Sequence, residues 1–414
     1  MLRARPLPRW NDPVGRIQLV LFLLFLLLMV VEHINGRFWL NDFRVYFGAA
    51  EALRNGGSLY GVAHGLDSGL FKYAPVMALL YLPFTLLPYT AAATLQYLLI
   101  ALAFVDGLRR MDSLLRTQLT GQPTARPLVL WLFALLMGVH LHRELHLGNI
   151  NMLLLWGLLV ALQGLLSGAR TWPGLLLGAI ILAKPHFAVL LPLLVLRGHL
   201  RALGLACIAI VAGLLLPALF LGTSANAEAL RAWVATMATH NADLIYIAGD
   251  DKRAINTLYT IAYRTLLQPF LPSSQLLPYV LLALVAAGIG LFVLRDRIRT
   301  STAGSPGRFA LEYLLLVALV PSITLTDTQH FLLAGPIVLL TLLHLFRPGR
   351  ARWLPWVAVP LLLAYGGNWE DPLGSLSDVL VNASALGIGS LGLVLLNVVL
   401  ATRSDNRPLP TSNP

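Results

Sequence analysis

Apolar runs of membrane-crossing length recur from one end of this sequence to the other, and they leave few folds open. A helical crossing takes roughly 17 to 25 predominantly apolar residues. Runs of that kind begin near Ile17, Ala91, Pro127, Ile150, Trp172, His186, Ala202, Pro278, Phe309, Phe331, Trp353 and Ala383. They predict about twelve crossings, or about ten, because two of the runs are short and share the Lys184-Pro185 break. Hydrophobic residues make up 57% of the 414 and charged residues 12%, which excludes an ordinary soluble domain. The expected fold is all-α, a polytopic bundle in a single transmembrane domain over residues 1–403, followed by a polar, Pro-rich tail at 404–414 expected to be disordered in the cytoplasm.

Charge supplies the orientation. The formal charge of +11 comes from arginines clustered between apolar runs, the pattern of cytoplasmic loops rather than of a nucleic-acid surface. With the N-terminus inside, the inner loops hold Arg109, Arg110, Arg116, Arg126, Arg170, Arg197, Arg201, Arg308, Arg347, Arg350 and Arg352, and the C-terminus is inside as well. Most carboxylates, among them Asp42, Glu144, Asp327 and Glu370, then face outward. The segment 74–88 is apolar, too short to span and interrupted by Pro83; a crossing there would put Arg109 and Arg110 outside. It is therefore expected to lie in the outer interface, within a first outer loop over 37–90. A second large outer loop, 222–277, reads as a lid or substrate-binding loop. Cys207 is the only cysteine, so neither a disulfide framework nor a cysteine metal site is available.

Ionisable groups gather at the predicted outer ends of the helices: Asp42, Lys72, His140, His142, Arg143, Glu144, His146, Lys184, His186, Asp327 and His330. Such groups are costly at membrane depth, and their clustering on one side points to a site. Asp42, at a membrane exit, reads either as a proton acceptor or as a helix N-cap. The histidines around Glu144 match no standard zinc spacing; they cap helix ends or donate to a phosphate, with backbone N–H groups after Gly148-Asn149 as further donors. No metal or cofactor is expected. Lys184 either snorkels or meets an anion, such as a lipid phosphate. Asp327-Thr-Gln-His330 is either a polar loop or a source of hydrogen bonds to a phosphate.

The run NDFRVYFGAAEALRNGGSLY, followed by FKYAPVMALLYLPFTLLP, resembles the opening of glycosyltransferase family 87, the polyprenyl-phosphate-mannose-dependent α-mannosyltransferases of the GT-C superfamily. HLGNINMLLL is similar to that family's Gly-Gln-x-Asn-x-Leu-Leu helix start, LAKPHFAVLLPLL to its Leu-Lys-x-x-Pro segment, and VPSITLTDTQHFLLAGPIVLL to its Ser-Pro-x-x-Trp-x-His stretch. Ala74 stands where the family has a first proline, Pro321-Ser322 replaces Ser-Pro, and Asn256-Thr-Leu-Tyr matches an Asn-Gln-Ser segment only loosely. The resemblance implies a GT-C bundle in a bacterial inner membrane that transfers a sugar, with inversion, from a polyprenyl-phosphate donor to a glycan or glycolipid acceptor on the outer face. It implies Asp42 as catalytic base, Lys72, Lys184, His330 and Arg253 at the donor phosphate, and Tyr46, Tyr73, His146, Asn149, His186 and Asn256 as further substrate-binding residues. The alternative is a transporter or flippase of a lipid-linked saccharide. That reading calls for charged groups near the midplane, where the sequence is almost entirely apolar.

Overall fold

In a computed structural model of the chain, the described residues are 12–66, 69–122, 126–246, 256–258, 261, 284, 287–290, 305–324 and 327–404. Arg253, nearly all of the run expected from Pro278, and residues 405–414 lie outside them. In chain order the helices are α1 (Pro13–Ile34), α2 (Asn41–Arg54), α3 (Pro75–Tyr81) with a 3-10 turn at Leu82–Leu86, α4 (Tyr89–Leu115), α5 (Pro127–Leu147), α6 (Asn151–Leu166) and α7 (Trp172–Ala183). A 3-10 turn at Pro185–Val189 leads into α8 (Leu190–Leu196), then come α9 (Leu200–Leu215), α10 (Ala218–Leu221) and α11 (Thr223–Tyr246). After the undescribed stretch follow α12 (Pro306–Ile323), a 3-10 turn at Thr328–Ala334, α13 (Gly335–Leu345), α14 (Leu354–Gly366), α15 (Glu370–Leu373), α16 (Ser375–Asn382) and α17 (Ala385–Ser404). Among the described residues there is no strand, only one isolated bridge between Ala63 and Leu70.

Seven helical stretches among the described residues are long and apolar enough to cross a membrane: Pro13–Ile34, Tyr89–Thr120, Pro127–Leu147, Leu200–Leu221, Pro306–Ile323, Thr328–Leu345 and Ala385–Thr402. Shorter apolar helices occupy Asn151–Leu166, Trp172–Ala183, Pro185–Leu196 and Leu354–Gly366, where the sequence predicts further crossings. The chain is an all-α polytopic membrane protein. Local chemistry sets several of its helix starts. Asp12 accepts a hydrogen bond from Val14 N at 3.1 Å with Pro13 in the first helical position, and Ser305 caps Arg308 N at 3.3 Å ahead of Pro306. The helices of Pro306–Ile323 and Thr328–Leu345 are 78% and 83% buried and form the centre, whereas Pro13–Ile34 and Leu200–Leu221 are 22% and 17% buried and lie at the rim.

One end of the bundle is tied together by arginines. Arg109 pairs with Asp12 at 2.6 Å, Arg116 with Asp112 at 2.8 Å, Arg126 reaches the Phe346 carbonyl, and Arg197 and Arg308 converge on the buried Glu312. The loops assigned to one side by their charge thus do meet at one end. At that end α7 begins, and it runs alongside α9, with Gly174 against Ala202 and Gly178 against Ala206 and Ala209. Its 12 residues span only about 18 Å, well short of the roughly 30 Å core. Pro185 lacks the N–H needed to continue the helix, and the chain turns back through α8 to put Arg197 on Glu312. Lys184 therefore sits at the tip of a re-entrant hairpin, inside the bundle. The notch above it is filled by the first loop: Ala74 and Val76 pack on Leu182, Ile210, Leu214 and Trp233. The polar stretch after Gly222 begins as a 24-residue helix, α11, whose Trp233 donates to the Lys72 carbonyl at 3.2 Å.

Candidate active site

The site is built where α2 meets the loop between α5 and α6. Tyr89 donates its hydroxyl to the carbonyls of Trp39 at 2.5 Å and Leu40 at 3.3 Å. Leu40, fully buried, holds φ 44° and ψ 59°, a left-handed conformation that costs a non-glycine residue about 1–2 kcal/mol. Gly148, with φ +66° in the left-handed position that ends α5, lies so close that a Cβ there would come within 2.9 Å of Leu40 Cδ2 and Phe43 Cβ. The N-cap of α2 is thus Leu40, and Asp42 is the second helical residue, which corrects the capping alternative for Asp42.

Asp42 has a different task. Asn149 donates from Nδ2 to Asp42 Oδ2 at 2.5 Å, while its own Oδ1 accepts from Ile150 N at 2.7 Å. Gln96 in turn donates to the Gly148 carbonyl at 3.2 Å and steadies the loop. Burial raises the Asp42 carboxyl above the ordinary aspartate range; the Asn149 hydrogen bond and the charges of Lys184 and Lys72 pull it part of the way back, and Asp327 pushes it up. A group of this kind is lost as a base when pH falls through its raised value. If Asp42 accepts a proton in turnover, Asn149→Ala removes a lowering influence, and the acid limb of the kcat/KM profile is expected to move to higher pH than in the wild type. An unmoved limb would disconnect Asn149 from the base.

Behind Asp42 lies a second carboxylate. Glu144 is fully buried; its Oε2 accepts from Asn151 Nδ2 at 2.8 Å and its Oε1 from Met152 N at 2.8 Å. Asn151 Oδ1 accepts from Lys184 Nζ at 2.5 Å. The start of α6 does bind an anion, as expected for a helix N-terminus, but that anion is Glu144. The backbone N–H groups of Gly148, Asn149, Ile150 and Met152 are each bonded within the protein, the last of them to Glu144, so these four do not serve a substrate phosphate. Buried Nε2 of His186 and Nδ1 of His330 find no partner within the protein, and both rings lie within electrostatic reach of Lys184. Lys72 is in reach of Asp42, and its ammonium is lowered by desolvation against the raising effect of that carboxylate. Asp327, 3.4 Å from Arg143, borders the same region.

Tyr46 and Tyr73 exchange a hydrogen bond at 2.9 Å beneath Asp42, and Tyr60 donates to the Tyr73 carbonyl at 2.7 Å. Burial raises both Tyr46 and Tyr73, with the Asp42 charge adding to it. The structure therefore brings Asp42, Tyr46, Lys72, Tyr73, Asn149, Lys184, His186 and His330 to one region. It places two candidates elsewhere. His146 turns to Glu32 of α1, with Nδ1 at 3.0 Å from Oε2. Asn256 accepts from Gly387 N at 3.3 Å and lines a small recess with His140, Thr328, Tyr365 and Asn368. Among the described residues no three His, Cys, Asp or Glu side chains converge in a way that would hold a metal ion. Sequence reasoning missed Asn151 and Gln96 as members of the site and gave Glu144 no role beside Lys184. A carboxylate three residues from the end of an apolar helix was the available signal.

Two lysines and two buried histidines beside a carboxylate of raised proton affinity suit acid–base chemistry on an anionic substrate. Comparison with known proteins agrees in class. A family model, glycosyltransferase family 87, matches residues 71–325, which is 255 of the 414 residues (325 − 71 + 1). The match takes in Lys72, Tyr73, Glu144, Asn149, Asn151, Lys184 and His186, and leaves Asp42 and His330 outside. No curated protein and no solved structure matches the chain. With a family match over more than half its length, on an all-α membrane bundle, the chain belongs to glycosyltransferase family 87.

Proposed function

We propose that this glycosyltransferase moves a sugar, mannose first among the candidates, from a polyprenyl-phosphate donor to a hydroxyl of a lipid-linked or envelope glycan. The reaction takes place at the outer face of the bacterial inner membrane, with both chain termini on the cytoplasmic side. The observation that carries the reading is the short loop between α5 and α6, in which Asn149 holds a carboxylate and Asn151 holds an ammonium. Asn149 occupies Oδ2 of Asp42, so Oδ1 receives the proton of the acceptor hydroxyl. The acceptor oxygen attacks the anomeric carbon, the bond from that carbon to the phosphate oxygen breaks, and its electron pair leaves with the polyprenyl phosphate. Lys184 and Lys72 stabilise the negative charge as it develops there, with His186 and His330 supplying hydrogen bonds.

The donor assignment is tested with the full-length protein in liposomes. Polyprenyl phosphates carrying radiolabelled mannose, glucose or arabinose are supplied separately with an envelope glycolipid extract. Label from the mannosyl donor is expected to move to the extract. Transfer of none of the three, or transfer only from a nucleotide sugar, would overturn the donor class.

A further inference from the structure

We propose that the face of α5 turned away from Lys184 carries a subsite for a sugar ring of the acceptor, built from Trp39, Glu32 and His146 with His142 at its rim. The inference rests on the transferase reading and adds the place from which the second substrate arrives. Glu144 and His146 are two residues apart on one helix, so their side chains leave it roughly 200° apart. Glu144 faces Asn151 and Lys184. His146 and His142, four residues apart with rings 6.2 Å from each other, share the opposite face and meet Glu32 of α1. Asp42 is bound to Asn149, directly beyond the end of α5. The candidate base thus stands over the end of a helix that has the cation on one side and the histidine–carboxylate group on the other. Inverting transfer needs the attacking hydroxyl and the leaving phosphate on opposite faces of the donor sugar. With the phosphate at Lys184, the acceptor comes from the side of His146.

The groups on that side have the chemistry of a saccharide site. Trp39 is 47% exposed, and its indole is tilted over His146 with ring centres 5.8 Å apart. A tryptophan at a membrane boundary commonly serves as a belt residue, but this one is held in the protein. Its Nε1 donates to the Gly36 carbonyl at 2.7 Å, and its own carbonyl is fixed by Tyr89. A flat apolar ring that is already immobilised binds the C–H face of a pyranose at low entropic cost. Glu32 is mostly buried and anchored by His146 Nδ1 at 3.0 and 3.2 Å, and a carboxylate accepts hydrogen bonds from neighbouring sugar hydroxyls. The same α5 face continues to Gly138, where the Trp369 ring packs.

Saccharide binding by full-length protein in lipid nanodiscs, which contain no glycoside detergent, tests the proposal without any donor. Saturation-transfer NMR is run with methyl α-mannopyranoside, methyl β-glucopyranoside and methyl α-arabinofuranoside. At least one is expected to receive saturation, most strongly at ring C–H protons. Trp39→Ala is expected to raise its dissociation constant about tenfold, whereas Trp39→Phe keeps most of the affinity. Glu32→Gln is expected to weaken binding about threefold or more. Should Trp39→Ala fail to fold, Trp39→Leu and Glu32→Gln decide the same question. Wild-type binding in the folded variants, or no binding of any of the three sugars by the wild type, would overturn the subsite. A belt role alone would lower thermal stability and leave saccharide binding unmoved, which also overturns it. Because no donor is present, such a failure leaves the Asp42 and Lys184 assignments standing, and those are judged on transfer.

Discussion

Asp42→Asn is expected to lower kcat for sugar transfer by about 10² to 10⁴-fold while donor binding stays within a few-fold of the wild type. Asparagine keeps the volume, and its carbonyl oxygen can still accept from Asn149 Nδ2, so the geometry of the loop is preserved. What disappears is the proton acceptor. The fold should not suffer. A carboxyl whose folded value is raised binds its proton more tightly in the folded state, so above that value its ionisation opposes folding. A neutral isostere removes that opposition, and the variant should melt at the same temperature as the wild type or higher at neutral pH. A loss of function joined to a gain of stability is the mark of a group kept for chemistry. Transfer within tenfold of the wild type would remove Asp42 from the reaction.

The second large effect concerns Lys184. Lys184→Met is expected to destabilise the protein by about 3–5 kcal/mol, because it leaves Glu144 buried with no cation behind Asn151. It should also reduce kcat by about 10²-fold or more if the ammonium stabilises the leaving phosphate. One variant cannot separate these effects, but two can. In Glu144→Gln/Lys184→Met both charges are gone; the amide oxygen can still accept from Met152 N, and its NH2 can donate to Asn151 Oδ1, released from Lys184, once the Asn151 amide turns over, so the melting temperature should return most of the way while turnover stays low. Recovery of turnover in the double variant would show that Lys184 only neutralises Glu144. A denaturation series measured beside transfer kinetics checks both halves.

Much of the architecture was legible because hydropathy belongs to one residue at a time. Every apolar run that falls within the described residues is helical, and the arginine loops do meet at one end. The Lys-Pro break and the helix after the first span were visible for the same reason, since proline and glycine act locally. What escaped is pairwise. His146 reaches a carboxylate 114 residues away, and the rotation that brings them together is not encoded in an α1 that is apolar nearly all round. The capping alternative for Asp42 fails because the cap of α2 is not a polar residue. Leu40 holds that position through Tyr89 and Gly148, both distant in sequence. The helix start after Gly148 was recognised as an anion site, but its anion is supplied by the preceding helix.

The loop that carries Asn149 and Asn151 also constrains how such an enzyme can diversify. Elsewhere around the site a substitution alters one side chain at a time. Between Gly148 and Met152 the chain length itself is under constraint. One inserted or deleted residue would rotate everything beyond it by roughly 100° and carry Asn151 off Lys184 while Asn149 stayed on Asp42. Libraries built to retarget this enzyme should therefore vary composition around that loop and leave its residue count fixed.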